Sequence, residues 1–262
     1  MPTTDPQKPA ATDKPSVLRE TDDDARKLAR VLLRSARYVA LAVVDPQTGF
    51  PSVSRVVLGT DVDGVPVILV SGLSAHTRAL DADPRCSLMA GEPGKGDPLA
   101  HPRLTVQCLA ERIRRDDPMH HRLRTRFLAR HPKTRLYIDF PDFGFFRLEP
   151  QAASLNGGFG RAYAMPGTDL VIRFGDSPIW VDDANQALQD LALAVPAAAT
   201  YIAVHLYGVK TGNWRFCGVD AAGIDLICGD KLLRHEFETP ILIKSHLINH
   251  ISKIANIAYP IP

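Results

Sequence analysis

The chain has 262 residues, 45% hydrophobic and 23% charged, which suits one large domain or two small ones with adequate cores and excludes a fibrous or wholly disordered chain. Its formal net charge is only +2, with Lys and Arg interspersed among acids, which argues against nucleic acid as the main partner. Four cysteines lie far apart in strand-like contexts without a CxxC pair and read as buried, reduced thiols.

Residues 1–15 are rich in Pro, Thr and Asp and lack the apolar segment of a secretory signal, so residues 1–20 are expected to be a disordered tail. No run reaches the roughly 18–20 apolar residues of a membrane helix, since residues 191–209 are broken by Pro196 and His205. The expectation is a cytoplasmic protein without a membrane partner. Thr21 and three Asp residues precede Leu28, Val31, Leu32 and Ala36 at helical spacing, which predicts a capped amphipathic helix over 22–36.

From Tyr38 the period shortens. YVALAVVD, PSVSRVVLG and VPVILVS are β-rich runs separated by PQTG and DVDG turns, the pattern of an antiparallel meander. A short helix is predicted to begin at Ser74 and to stop before Pro84, followed by the strand CSLMAG. RLTVQCLAERI reads as a strand, DPMHHRLRTRFLARHP as a helix, and YIDF and FGFFRLEP as two further strands. A turn-rich segment near 165–168 marks a boundary between a region over 21–165 and a smaller mixed one over 169–262. The second region is predicted to hold a helix over 183–195, a strand YIAVHLYG, a hairpin from WRFCGVD into IDLICGD, and a last helix. Ile243, Leu247, Ile251, Ile254 and Ala258 share one face of that helix.

Arg55 in an apolar strand, with Ser71, Ser74, Thr77 and Arg78 around a helix start, makes a candidate anion site, because a phosphate takes guanidinium groups together with hydroxyl or N–H donors. An Arg on a solvated edge strand is the plainer alternative. These residues, with Arg55-Val56-Val57-Leu58, Val70-Ser71, His76-Thr77-Arg78 and Leu104-Thr105-Val106-Gln107 in this order, resemble the flavin-binding split barrels of the pyridoxamine-phosphate-oxidase superfamily. The resemblance implies an α+β, mainly β fold: a six-stranded FMN-binding split β-barrel followed by a smaller α/β C-terminal region, working as a homodimer with FMN at the interface. It implies that Arg55, Thr77 and Arg78 hold the FMN phosphate, that Val56, Val57, Leu58 and Ser71 lie along the ring and ribityl chain, and that Gln107 approaches from a neighbouring strand.

DFGFFRLEPQAASLNGGFGRA and the later GNWRFCGVDAAGIDLICGDKLLRHEF make residues 25–258 similar to the haem-utilisation HugZ-type proteins. That resemblance implies haem as ligand or substrate. Asn156 and Arg161, which flank the glycines of NGGFGR, are then candidates beside a phosphate or carboxylate, with a simple tight turn as the alternative. His246 and His250, four apart on one helix, are the candidate iron ligands, ahead of His235. The sequence departs from the family where related chains carry a His-Met-Asn-x-Asp-His helix, since residues 191–199 read LALAVPAAA. His76, His120 and His121 lack a third partner at metal-ligand spacing, and no Ser-His-Asp or paired-carboxylate arrangement is present in the sequence. Three readings follow: an FMN-dependent oxidoreductase of unspecified substrate, a haem-binding or haem-degrading protein, and a non-catalytic dimeric binding module.

Overall fold

A computed structural model describes residues 18–158, 160–172 and 179–256. The expected tail therefore lies almost wholly outside the described residues, as do Phe159 and Ala258. In chain order the elements are β1 (Leu18–Arg19), α1 (Asp23–Ser35), β2 (Tyr38–Val44), β3 (Pro51–Thr60), β4 (Pro66–Ser71), α2 (Ala75–Ala82), β5 (Arg85–Ala90), β6 (Arg103–Ile113), α3 (Pro118–Arg130), β7 (Phe143–Asn156) and β8 (Ala162–Pro166). They continue with α4 (Ile179–Ala194), α5 (Pro196–Tyr207), β9 (Arg215–Asp220), β10 (Gly223–Cys228), β11 (Lys231–Glu236) and α6 (His246–Ile254).

Strands β7-β4-β3-β2-β5-β6 pair in that order, and β6 returns to β7, closing a six-stranded antiparallel barrel as the sequence predicts. Alternation fills it. Val39, Leu41 and Val43 of β2 and Leu104, Val106 and Cys108 of β6 point inward. Leu41, Leu58, Leu88 and Leu104 are wholly buried, and truncation of any one to Ala costs about 2–5 kcal/mol. Outside the barrel, β9, β10 and β11 form a three-stranded antiparallel sheet. Residues of α4, α5 and α6 pack with this sheet in a second apolar cluster, while α3 bridges to the barrel through Phe127 and Phe145, whose ring centroids are 5.4 Å apart.

Several local expectations are corrected. The cap of α1 is Asp22, whose carboxylate accepts from the Ala25 N–H, while the Thr21 hydroxyl donates to Ala164 O. Residues 137–140 form a turn, not a strand, because this short segment finds no ladder partner. The YIAVHLYG run is helical in α5: Pro196 opens it at its first turn, alanines favour it, and Gly208 closes it in the left-handed conformation. Ile202 and Ala203 are buried in the second cluster while Leu206 and Tyr207 are 49% and 40% exposed, so the apolar run covers both faces and does not distinguish helix from strand. Ile243 precedes α6 and is exposed, although Leu247 and Ile251 are buried as predicted. Met165 and Pro166, at the start of the turn-rich segment expected over 165–168, belong to β8, which extends the sheet beside β7.

A buried ionic cluster ties α1 and α3 to the second sheet. Arg34 at the end of α1 donates to Asp220 of β9 at 2.8 Å, and Arg234 of β11 donates to both Asp220 oxygens at 2.7 and 2.9 Å and to Asp225 at 3.3 Å. Arg130 of α3 reaches Ala36 O at 2.7 Å and Asp225 at 3.5 Å. The DVDG turn wraps this cluster: Gly64 has φ +88°, and a Cβ there would lie 2.0 Å from the Arg34 guanidinium, so only glycine fits. Burial opposes ionisation of Asp220, yet Arg234 and Arg34 hold its carboxyl at about 2.

His131, at the end of α3, donates from Nε2 to Leu58 O at 2.7 Å. Burial, aided by the Arg130 charge, pushes its pKa down to about 3 from 6.5. Between these values the unfolded chain binds more protons than the folded one, so stability falls as pH drops from 6.5 towards 3 and levels off below. Melting temperatures measured from pH 7 to pH 4 are expected to decline in wild type, with a shallower slope in His131→Asn.

Candidate functional site

The register of β2 on β3 opposes Ala40 to Arg55 and Tyr38 to Val57. Arg55 therefore projects from the outer barrel wall, where its guanidinium lies 5.0 Å from the Tyr38 ring centroid. The Tyr38 phenol is hydrogen-bonded to Glu92, which raises its pKa and keeps the proton on the phenol. These residues line a groove of about 740 Å³ between the barrel wall and the β10–β11 hairpin. Val53 and Met89 supply apolar surface from the barrel, and Trp214, Val209, Leu232 and Leu233 from the second sheet and the segment before it.

Three cations line the groove: Arg37, Arg55 and Lys231. Arg37 is engaged with Asp230 at 3.0 Å. Among the described residues, no carboxylate forms an ion pair with Arg55 or Lys231. Glu92 and Asp230 also line the groove, engaged with Tyr38 and Arg37 respectively, which leaves Arg55 and Lys231 to meet an anionic group on a partly apolar ligand.

The remaining candidates do not gather there. Val56 and Leu58 are buried inside the barrel and Val57 packs towards α3, so their side chains are core and only their backbone can meet a ligand. The Ser71 hydroxyl donates to Asp142 at 2.6 Å, and Thr77, wholly inside, donates to Ser71 O at 2.6 Å. Thr77 is thus committed to locking the turn into α2, and Thr77→Val is expected to lower stability by about 1–2 kcal/mol in denaturant titrations. Arg78 is exposed and donates to Leu73 O at 2.8 Å. No described contact joins it to Arg55. His76 approaches Ser54 at 3.3 Å, and burial lowers its pKa.

Gln107 is exposed on β6 and lines a different cavity, with Arg85 and Gln151. Asn156 accepts from the Gly158 N–H at 3.2 Å, and Gly157 N–H donates to Arg161 O at 2.7 Å. With Gly158 and Gly160 both at positive φ, this is a tight turn carrying an exposed Arg161. His246 is exposed, while His250 packs edge-on against Phe237 at 4.8 Å; neither lines the groove. His235 accepts from or donates to the Tyr207 hydroxyl at 3.0 Å, and burial, with Arg234 nearby, lowers it to about 4. His120 packs edge-on to Phe145. Among the described residues, no group of three or more His, Cys, Asp or Glu is placed to hold a metal ion. Sequence reasoning missed Tyr38 and Lys231. The first was visible as an aromatic at the start of the strand that pairs with Arg55, whereas the second is brought in only by the tertiary fold.

No single described helix is long and apolar enough to cross a membrane; the apolar pair 183–194 and 196–207 is bent by 86°. Residues 25–157 match the family model described as pyridoxamine 5'-phosphate oxidase. The chain is 34% identical over 115 residues to the non-canonical heme oxygenase HOZ of Arabidopsis thaliana, covering 44% of this chain but only 34% of that longer protein. It is 32% identical over 141 residues to the heme oxygenase HutZ of Vibrio cholerae, covering 52% of this chain and 77% of HutZ. Among solved structures, the Agrobacterium tumefaciens protein Atu2129, of unknown function, superposes with a TM-score of 0.77 at 31% identity, covering 88% of this chain and 95% of that one. A heme binding protein from Mycobacterium smegmatis superposes with a TM-score of 0.52 at 26% identity, covering 94% and 98%. This similarity reaches past the barrel into the second sheet. The chain belongs to the pyridoxamine 5'-phosphate oxidase family of split barrels and stands near its HugZ-type proteins.

Proposed function

We propose that the protein binds haem in the groove beside Arg55 and serves haem utilisation, as the names of its relatives suggest. The observation that carries this reading is the pair of uncommitted cations, Arg55 and Lys231, on an apolar trough of about 740 Å³. Haem presents an apolar, planar body with two carboxylates, and the two cations suit those carboxylates. Arg37 and Asp230, both in the lining, neutralise one another at 3.0 Å. Bound haem would supply the redox and oxygen chemistry; the chain's residues bind it, orient it and shield one face from water.

Neither His246 nor His250 lines this groove, so haem retention is expected to survive the double replacement His246→Ala/His250→Ala, read as an unchanged Soret band. Loss of that band would place the ligand at α6 instead. Opening of the tetrapyrrole with a reductant present is a separate assay, because binding does not establish turnover.

FMN is the second reading. The family binds flavin, and Arg55 stands on β3 where a phosphate would be held; Thr77 and Arg78, already bonded within the α2 turn, support it less. A homodimer accords with the apolar outer face of β2, β3, β5 and β6, on which Val53 is 67% and Met89 48% exposed. Size-exclusion chromatography with light scattering tests it. A cytoplasmic address and an independently folding unit over 169–262 are also proposed, the latter from the separate apolar cluster around β9 to β11.

A further inference from the structure

Cys86 of β5 and Cys108 of β6 stand directly opposite one another in the antiparallel register. Opposed residues on such a ladder point to the same face, and here that face is the barrel interior, where Cys86 is 7% and Cys108 3% exposed. Residues paired this way have Cα atoms about 4.5–5.5 Å apart, inside the range of about 4.4–6.8 Å that disulfides span. No change of register is required to join them.

Both cysteines also line a cavity of about 550 Å³ at this part of the barrel, so a small reagent has a route to them. The other two do not share this placement: Cys217 and Cys228 are not opposed in the β9–β10 register, and neither lines the cavity. Burial pushes the Cys217 thiol up to about 12, which leaves it unreactive.

From this geometry we infer that Cys86 and Cys108 are a reactive dithiol, a modification site for peroxides and related thiol oxidants that closes to a cross-strand disulfide. The S–H of Cys108 is directed to Val106 O at 3.8 Å; the neighbouring sulfurs act on one another so that the Cys86 thiol is lowered while Cys108, also buried, is raised, which favours Cys86 as the attacking sulfur. Its thiolate attacks one peroxide oxygen: the S–O bond forms, the O–O bond breaks, and the departing hydroxide takes up a proton to leave as water. The Cys108 sulfur, losing its proton, then attacks the sulfenic sulfur; the S–S bond forms, the S–O bond breaks and a second water leaves. The two thiols lose two electrons, and the peroxide gains them.

The test uses the full chain, reduced and then freed of reductant, exposed separately to hydrogen peroxide and to diamide. The expected result is loss of two of the four free thiols, a fall in intact mass of about 2 Da, and, after digestion without reductant, a linked peptide pair containing Cys86 and Cys108. Cys86→Ser and Cys108→Ser each abolish the 2 Da loss, and Cys217→Ser/Cys228→Ser retains it. Phenylarsine oxide, which bridges paired thiols, gives a readout on the unmutated chain, where one equivalent is expected to block both cysteines. Four thiols surviving oxidant, a bridge that includes Cys217 or Cys228, a bridge between chains, a sulfinic acid at Cys86 beside a free Cys108, or failure to take up the arsenical would each overturn the assignment.

Discussion

Replacing Asp220 with Ala is expected to lower folding stability by about 3–5 kcal/mol, enough to consume much of a typical domain's margin. Asp220 is the shared acceptor of Arg34 and Arg234, and all three side chains are within about 1% of complete burial. Removing the carboxylate strands two guanidinium groups in a site without water access, and each then bears its desolvation cost uncompensated. Because the folded carboxyl sits at about 2, below its unfolded value, its contribution is present above roughly pH 4 and is lost as pH falls through 2.

The ionic cluster also bears on function. It fixes α1 and the start of β2 against β9 and β11, and these flank the groove, whose lining includes Leu32, Arg37, Lys231 and Leu232. An apolar replacement of the whole cluster, Arg34→Met/Asp220→Leu/Arg234→Met, is expected to recover most of the stability, since it leaves no charge unpaired. Urea titration of the two variants checks both statements. If Asp220→Ala loses less than about 1 kcal/mol, the cluster is not what holds α1 against the second sheet.

Arg55→Glu is expected to weaken haem binding about 10- to 100-fold while leaving folding unchanged within about 0.5 kcal/mol. The side chain is exposed and its described contact is the Tyr38 ring, so its removal opens no cavity. Reversing the charge deletes a charge-assisted contact to a carboxylate and adds repulsion. Lys231→Glu is expected to act in the same direction, and the double variant to exceed either. Arg78→Glu is the control: Arg78 bonds Leu73 O beside α2 and does not line the groove, so haem affinity is expected to stay within about twofold, whereas an FMN phosphate held at that turn would respond.

The barrel was readable because its signals are local. The DVDG turn, alternation in YVALAVVD and RLTVQCLAERI, and the Pro84 stop are each set by backbone geometry within a few residues, and the observed strands β2, β5 and β6 follow them closely. Two segments resisted for a physical reason. The YIAVHLYG run has apolar side chains on both faces of α5, Ile202 and Ala203 buried and Leu206 and Tyr207 exposed, which erases the amphipathic period, and residues 137–140 carry β-prone side chains but no ladder partner.

The site was less legible than the fold. The resemblance implies that Arg55, Thr77 and Arg78 hold a phosphate; strand alternation sends Arg55 to the outer wall, while Thr77 on α2 is buried and donates to Ser71 O. Lys231, remote in sequence and on a strand that packs near α1, could be assigned to the groove only after the two sheets were brought together. The same holds for Cys86 and Cys108, which read as isolated thiols until the β5–β6 register made them neighbours.

Whether the groove beside Arg55 holds haem is decided by a haem titration of the full chain, followed at the Soret band in parallel for wild type, Arg55→Glu and Lys231→Glu, with FMN as competitor. Saturable binding of one haem per chain is expected, weakened in both variants and insensitive to a moderate excess of FMN. Haem binding that ignores both substitutions, or tight FMN binding with no Soret change at all, would contradict it.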